Sequence, residues 1–191
     1  IFHNLFYSAA SGYTLSNNTI TGVAAGAWET RWDGILMSSQ SVANTASGNN
    51  VDGSGITYNP IGLQVWNVKN VSPSALSGGN ITNVTTGVFV NNYDGYNSDA
   101  GDGGHATLSG VTISNVTTGI RVLDNVLSTH ANVQLSIGSG VSVSNATTGL
   151  SVENASSSVL ALSDLTFTGV SGKYIDLVNN AGNLDATAVT F

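Results

Sequence analysis

Apolar and polar residues alternate at period two in short runs along most of this chain, and Gly or Asn separates one run from the next. The alternation is itself repeated. The segment Ile113-Ser114-Asn115-Val116-Thr117-Thr118-Gly119-Ile120 recurs as Val143-Ser144-Asn145-Ala146-Thr147-Thr148-Gly149-Leu150 and as Ile81-Thr82-Asn83-Val84-Thr85-Thr86-Gly87-Val88. Weaker copies start at Ile20 and Ile56 and reach Gly26 and Gly62, so five copies place Gly six positions after an apolar anchor. A sixth, from Phe167, has Lys173 where that Gly is expected. Leu-Ser pairs at Leu15, Leu76, Leu108 and Leu162 lie five residues before their anchors. Leu135-Ser136 precedes Val143 by eight, which reads as a three-residue insertion. After each Gly comes a third alternating run: Leu63-Gln64-Val65, Val88-Phe89-Val90, Ile120-Arg121-Val122 and Leu150-Ser151-Val152.

Each unit therefore predicts three short strands joined by tight corners, at intervals of 36, 25, 32, 30 and 24 residues. Period-two alternation of β-branched residues with Ser and Thr, with Gly throughout, argues against helices. Strands this short cannot bury a face alone. Coiling the chain so that equivalent strands stack gives every coil a neighbour to pack on. Gly and Asn at the corners supply left-handed backbone. Two residues past the anchors the chain reads Gly22, Tyr58, Asn83, Asn115, Asn145 and Gly169. The expected fold is an all-β parallel β-helix, a three-sheet solenoid of about six coils. We expect a single domain over 1–191 with insertions at 27–55 and 93–105, forming a segment of a longer chain.

The Leu-Ser-x-x-x-Ile-x-x-x-x-x-Gly-Ile-x-Val units, over roughly residues 13 to 180, resemble the pectate-lyase-like superfamily of β-helices. The resemblance implies a right-handed coil, and membership among extracellular polysaccharide enzymes or surface proteins. It bears on architecture more than on activity, because chemistry on this solenoid differs between families. Asn97-Ser98-Asp99, Gly101-Asp102-Gly103 and Gly104-His105 resemble polygalacturonase motifs. In that family the motifs sit on successive coils, whereas here they crowd into nine residues.

Composition narrows the field. Gly, Asn, Ser and Thr supply almost half of the chain, and only 8% of residues are charged, against roughly 25% in ordinary domains. A hydrophobic content of 41% is nevertheless too high for a disordered polar tract. Eleven acidic and four basic residues give a net charge of −7, a poor match to nucleic acid or an anionic membrane. No apolar run approaches the ~20 residues of a membrane span, so membrane insertion is not expected. The absence of cysteine excludes a disulfide scaffold and a thiolate metal site. Asn-x-Ser/Thr triplets at Asn17, Asn70, Asn80, Asn83, Asn115, Asn145 and Asn154 are acceptors a glycosylated secreted protein would carry, and a repeat of Asn corners and Thr-rich strands also generates them by itself.

Candidate chemistry lies where side chains project outward. Neighbours of the inward anchors form a Thr/Ser ladder of Thr19, Thr21, Thr57, Thr82, Thr112, Ser114, Ser142, Ser144, Thr166 and Thr168. Such a ladder suits exposed strands generally and is also the pattern of an ice-binding face. Trp28, Trp66 and Phe89 fall on neighbouring coils and, with Arg31, form a candidate carbohydrate platform, since an aromatic face offers apolar contact to a sugar ring. The alternative for these aromatics is a satellite core beneath the 27–55 insertion. Asp94, Asp99 and Asp102, in a Gly-rich stretch that ends at His105, could give a Ca²⁺ ion hard oxygen ligands. They are equally ordinary turn residues. Arg31, Lys69, Arg121, Lys173, His3, His105 and His130 mostly stand alone in their coils, which is not the grouping acid–base catalysis needs.

The sequence thus leads us to expect a non-catalytic module of an extracellular surface, adhesin or matrix-type protein. Its partners would be a polysaccharide or cell-surface glycan, the rest of its parent chain, or neighbouring subunits. A carbohydrate-binding or polysaccharide-cleaving β-helix is the second expectation, and an ice-binding protein the third.

Overall fold

The computed structural model describes residues 2–5, 14–23, 32–39, 44–66, 68–69, 73–91, 102–124, 133–154, 159–179 and 183–191. These form an all-β, parallel β-helix-like solenoid in which strands of successive coils stack in three ladders. The first ladder runs through Thr14–Ser16, Thr45–Ser47, Ser74–Ser77, His105–Ser109, Gln134–Ile137, Val159–Thr168 and Asn183–Thr190. The second links Thr19–Thr21, Asn50–Asp52, Asn80–Asn91, Thr112–Leu123 and Val141–Glu153 to the later part of Val159–Thr168. The third joins Phe2–Leu5, Trp32–Ser39 and Pro60–Trp66 to the later halves of those long strands, and ends on Lys173–Val178. Every pairing in the three ladders is parallel. Val68–Lys69 pairs antiparallel with Asp102–Gly103 outside them.

The anchors hold the interior. Val51, Ile81, Ile113, Val143 and Phe167 are stacked in register and buried in one apolar column with Leu76, Leu108, Ile137 and Leu162. The Gly six residues after an anchor has a specific task at Gly119. A Cβ there would overlap Val143 Cγ1 from the next coil and stand 2.6 Å from the Gly149 carbonyl oxygen. Gly34, Gly62, Gly87 and Gly149 meet Val51, Ile81, Ile113 and Phe167 in the same way. Each coil's anchor thus nests over the preceding coil's glycine.

That column corrects three expectations. The anchor of the second coil is Val51, paired with Ile20 and Ile81, and not Ile56. Ile56 is buried in a turn closed by its N–H donating to the Gly53 carbonyl at 2.8 Å, where it packs over Gly22 and so mimics an anchor in sequence. Two residues past Val51 lies Gly53, so Gly or Asn stands at this corner in all six coils. The glycine of the first coil is Gly34 rather than Gly26, and the segment 27–55 is not an insertion across its described part. Trp32–Ser39, Thr45–Ser47 and Asn50–Asp52 are strands of the solenoid itself. Finally, Ile137 and not Leu135 aligns with Leu108 and Leu162, which shortens the expected insertion to a single residue.

In the last described strand of the third ladder Tyr174, paired beside Gly149's neighbours, takes the glycine position that Lys173 was expected to hold. The next anchor is Phe191, which follows the pairs Leu165–Val189 and Thr166–Thr190 and stacks on Phe167 with ring centroids 5.9 Å apart. The Tyr174 ring packs edge-on against both, at 6.0 Å from Phe167 and 5.1 Å from Phe191.

The corner after the first ladder has left-handed backbone in every coil: Asn17, Gly48, Gly78, Gly110, Gly140, Asp164 and Ala188, with φ between 54° and 74°. Ala188 has neither glycine's freedom nor an amide or carboxylate to compensate. Ala188→Gly is therefore expected to raise stability by about 1 kcal/mol, read as a higher midpoint in urea unfolding. An unchanged or lower midpoint would count against the corner as the limiting feature.

Candidate functional site

Alternation along the third ladder sends Ile35, Leu63, Val88, Ile120 and Leu150 inward and their neighbours outward. The outward column in register reads Leu36, Gln64, Phe89, Arg121, Ser151 and Asp176. Leu36 is 1% exposed, Gln64 1% and Phe89 8%, although none belongs to the central core cluster. This face of the solenoid is a second, partly polar packing layer. Its amides are engaged: Gln64 Nε2 donates to Asn91 Oδ1 at 2.7 Å in a buried setting.

Arg121 organises the exposed part of the column. Its Nε and Nη2 donate to Glu153 Oε1 and Oε2 at 2.8 and 3.0 Å, and its guanidinium carbon lies 5.1 Å from the Phe89 ring centroid. Ser151 Oγ donates to Glu153 Oε1 at 3.2 Å. The Arg121 hydrogen bonds hold the Glu153 carboxyl below its ordinary value of 4.5, ahead of the opposing effect of burial. Beside this pair opens a lateral groove of about 330 Å³ lined by Asn59, Ile61, Thr85, Thr86, Phe89 and Arg121.

The sequence-predicted platform is only partly brought together. Trp28 and Arg31 lie outside the described residues. The first-coil neighbour of Gln64 is Leu36, so the column position expected of Trp28 belongs to Leu36. Trp66 pairs with Ser38 and Asn91, two residues along from Gln64. Phe89 is buried with a guanidinium over its ring, so it is not an open stacking surface. Of the calcium candidates, Asp94 and Asp99 lie outside the described residues. Asp102 sits in a short strand opposite Lys69. Among the described residues no three His, Asp or Glu side chains converge on one point.

The Thr/Ser ladder is more regular than the sequence suggested. Thr19, Asn50, Asn80, Thr112, Ser142 and Thr166 align in one column; Thr21, Asp52, Thr82, Ser114, Ser144 and Thr168 align in the next. Thr57 does not belong, since it lies outside any strand and follows the turn at Gly53–Gly55. Asn50 and Asp52 hold the second-coil positions. Coil-to-coil bonds tie the face together: Asn80 Nδ2 donates to Asn50 Oδ1 at 2.8 Å, and Ser114 Oγ to Thr82 Oγ1 at 3.4 Å. Asn83 Nδ2 donates to Asp52 Oδ1 at 2.9 Å, which with the Ser54 N–H lowers the Asp52 pKa. At the adjacent corner Asn145 Nδ2 donates to Asn115 Oδ1 at 3.3 Å.

Sequence reasoning missed Glu153 as the partner of Arg121. Stacking the repeats on their glycines places Arg121 two residues past Gly119 and Glu153 four past Gly149, one coil on. That diagonal was the available signal.

No family model, curated protein or solved structure matches the chain. Among the described residues, the fold and these surfaces define a parallel β-helix-like solenoid with a polar face of aligned columns and a lateral groove beside Arg121.

The Arg121–Glu153 pair has a pH signature. A carboxyl held low in the folded state contributes stability that is present above its unfolded value and lost as pH falls through the folded one. Glu153→Gln is expected to cost about 0.5–1 kcal/mol at neutral pH, since both side chains remain partly exposed. Urea midpoints of wild type and variant should converge in acid. A difference that persists unchanged into acid would show that the charge is not what stabilises the pair.

Proposed function

We propose that this chain is a non-catalytic module of an extracellular surface, adhesin or matrix-type protein, and that its solenoid presents a flat polar face to a glycan or a neighbouring subunit. The observation that carries this reading is the alignment of two outward polar columns through six coils. A face so organised is stiff, because its strands from Asn50–Asp52 to Val141–Glu153 are each paired on both sides. It is also broad, with neighbouring coils about 4.8 Å apart. Scarce surface charge removes the Lys and Arg sites that common proteases need. The resemblance to the pectate-lyase-like superfamily supports an extracellular setting for this reading.

The purified chain is expected to be retained by insoluble extracellular polysaccharides or cell-surface material, and to release neither unsaturated nor reducing ends from an acidic and neutral polysaccharide panel. Release of such ends would overturn the reading in favour of a polysaccharide lyase or hydrolase. Ice shaping or thermal hysteresis in the same preparation would transfer the polar face to an ice-binding role.

A further inference from the structure

We infer that the lateral groove beside Arg121 is a binding site for a neutral sugar residue, separate from the flat polar face and independent of whether that face binds anything. The groove holds about 330 Å³, within the roughly 300–1,000 Å³ range of small-ligand pockets. Its walls combine two chemistries. Ile61 and Phe89 form the apolar part of its wall, with the Phe89 ring face covered by the Arg121 guanidinium, so they offer apolar contact without an open stacking face. Thr85, Thr86 and Asn59 supply hydroxyl and amide groups that both donate and accept, and none of the three side chains has a hydrogen-bond partner among the described residues.

The charge arrangement selects the ligand class. Glu153 already occupies Nε and Nη2 of Arg121 in a bidentate pair. The guanidinium therefore reaches the groove as a neutralised donor, with Nη1 uncommitted to any described residue. An anionic sugar would have to displace Glu153 or sit near its carboxylate, on a chain of net charge −7. A neutral polyol meets no such cost and can accept from Nη1 directly. Preorganisation favours the same assignment. Arg121 is fixed by the carboxylate on one side and the Phe89 ring on another, and Thr86 and Phe89 lie on a strand paired with both neighbouring coils. Groups held in this way lose little freedom on binding.

The test is an amide NMR titration of the whole chain with methyl glycosides of glucose, galactose, mannose and N-acetylglucosamine, with glucuronate as the acidic arm. At least one neutral glycoside is expected to shift the amides of Thr85, Thr86, Phe89 and Arg121 saturably, with a Kd of about 1 mM. Thr86→Val keeps the side-chain shape and removes one hydroxyl, and is expected to weaken that binding about fivefold with an unchanged unfolding midpoint. Arg121→Lys, which loses the second guanidinium arm, should weaken it as well. The assignment is overturned if no neutral glycoside shifts these amides, if glucuronate binds more tightly than methyl glucoside, or if Thr86→Val leaves the affinity unchanged. Polysaccharide cleavage elsewhere on the molecule would contradict the proposed module without touching this site, so the two can fail separately.

Discussion

The structure depends on the approach of one coil's anchor to the glycine of the coil before it. Val143 lies where a side chain on Gly119 would have to be, and four further pairs repeat the arrangement along the axis. Because the anchor fills that space, adjacent strands hold parallel pairing on both sides of it while the side chains of successive coils stay in contact. Packing at this density tolerates little added volume. The consequence for sequence is severe. A glycine lies beneath the next coil's anchor at Gly34, Gly62, Gly87, Gly119 and Gly149, and Tyr174 takes its place where the anchors become the stacked rings of Phe167 and Phe191.

Once the interior is committed in this way, outward positions are left to satisfy one another. Polar side chains that would be unremarkable singly become columns, and columns hydrogen-bond along the axis, as Asn80 does to Asn50 and Asn83 to Asp52. The interior grades along the same axis. In one inward column of the first ladder Asn44 and Ser74 give way to Ala106, then Leu135 and Leu160. A cavity of about 20 Å³ lies beside Ala46 in the coils where side chains are smallest. The third ladder differs again, because its outward column is buried from Leu36 to Phe89 and a groove opens beside it at Arg121.

The fold class and the three-strand repeat were legible because burial at period two and left-handed corners both leave marks in sequence. The two strongest copies, from Ile113 and Val143, align residue for residue in space. The register of the second coil was not legible. Ile56 has an anchor's character and stands six residues before Gly62, whereas Val51 stands eleven before it, across a turn that sequence alone does not count. The same turn displaces the expected places of Gly26, Trp28 and Thr57. The polar face was legible as Thr and Ser but looked broken until Asn50 and Asp52 took the second-coil positions. The groove was hidden for another reason. Asn59, Thr86 and Arg121 come from three coils, and the pairing of Arg121 with Glu153 is diagonal, so no local spacing announces it.

The nesting of anchor on glycine is tested most directly by a double-mutant cycle on one pair. Gly119→Ala alone is expected to destabilise by about 2 kcal/mol, because both the Val143 side chain and the Gly149 carbonyl stand in the way of the new methyl. Val143→Ala alone leaves a void and should cost about 2 kcal/mol. Combined, the variants should lose distinctly less than the sum of the two, since the smaller side chain makes room for the added one. Strict additivity in urea unfolding would contradict the claim that this contact sets the spacing of the coils.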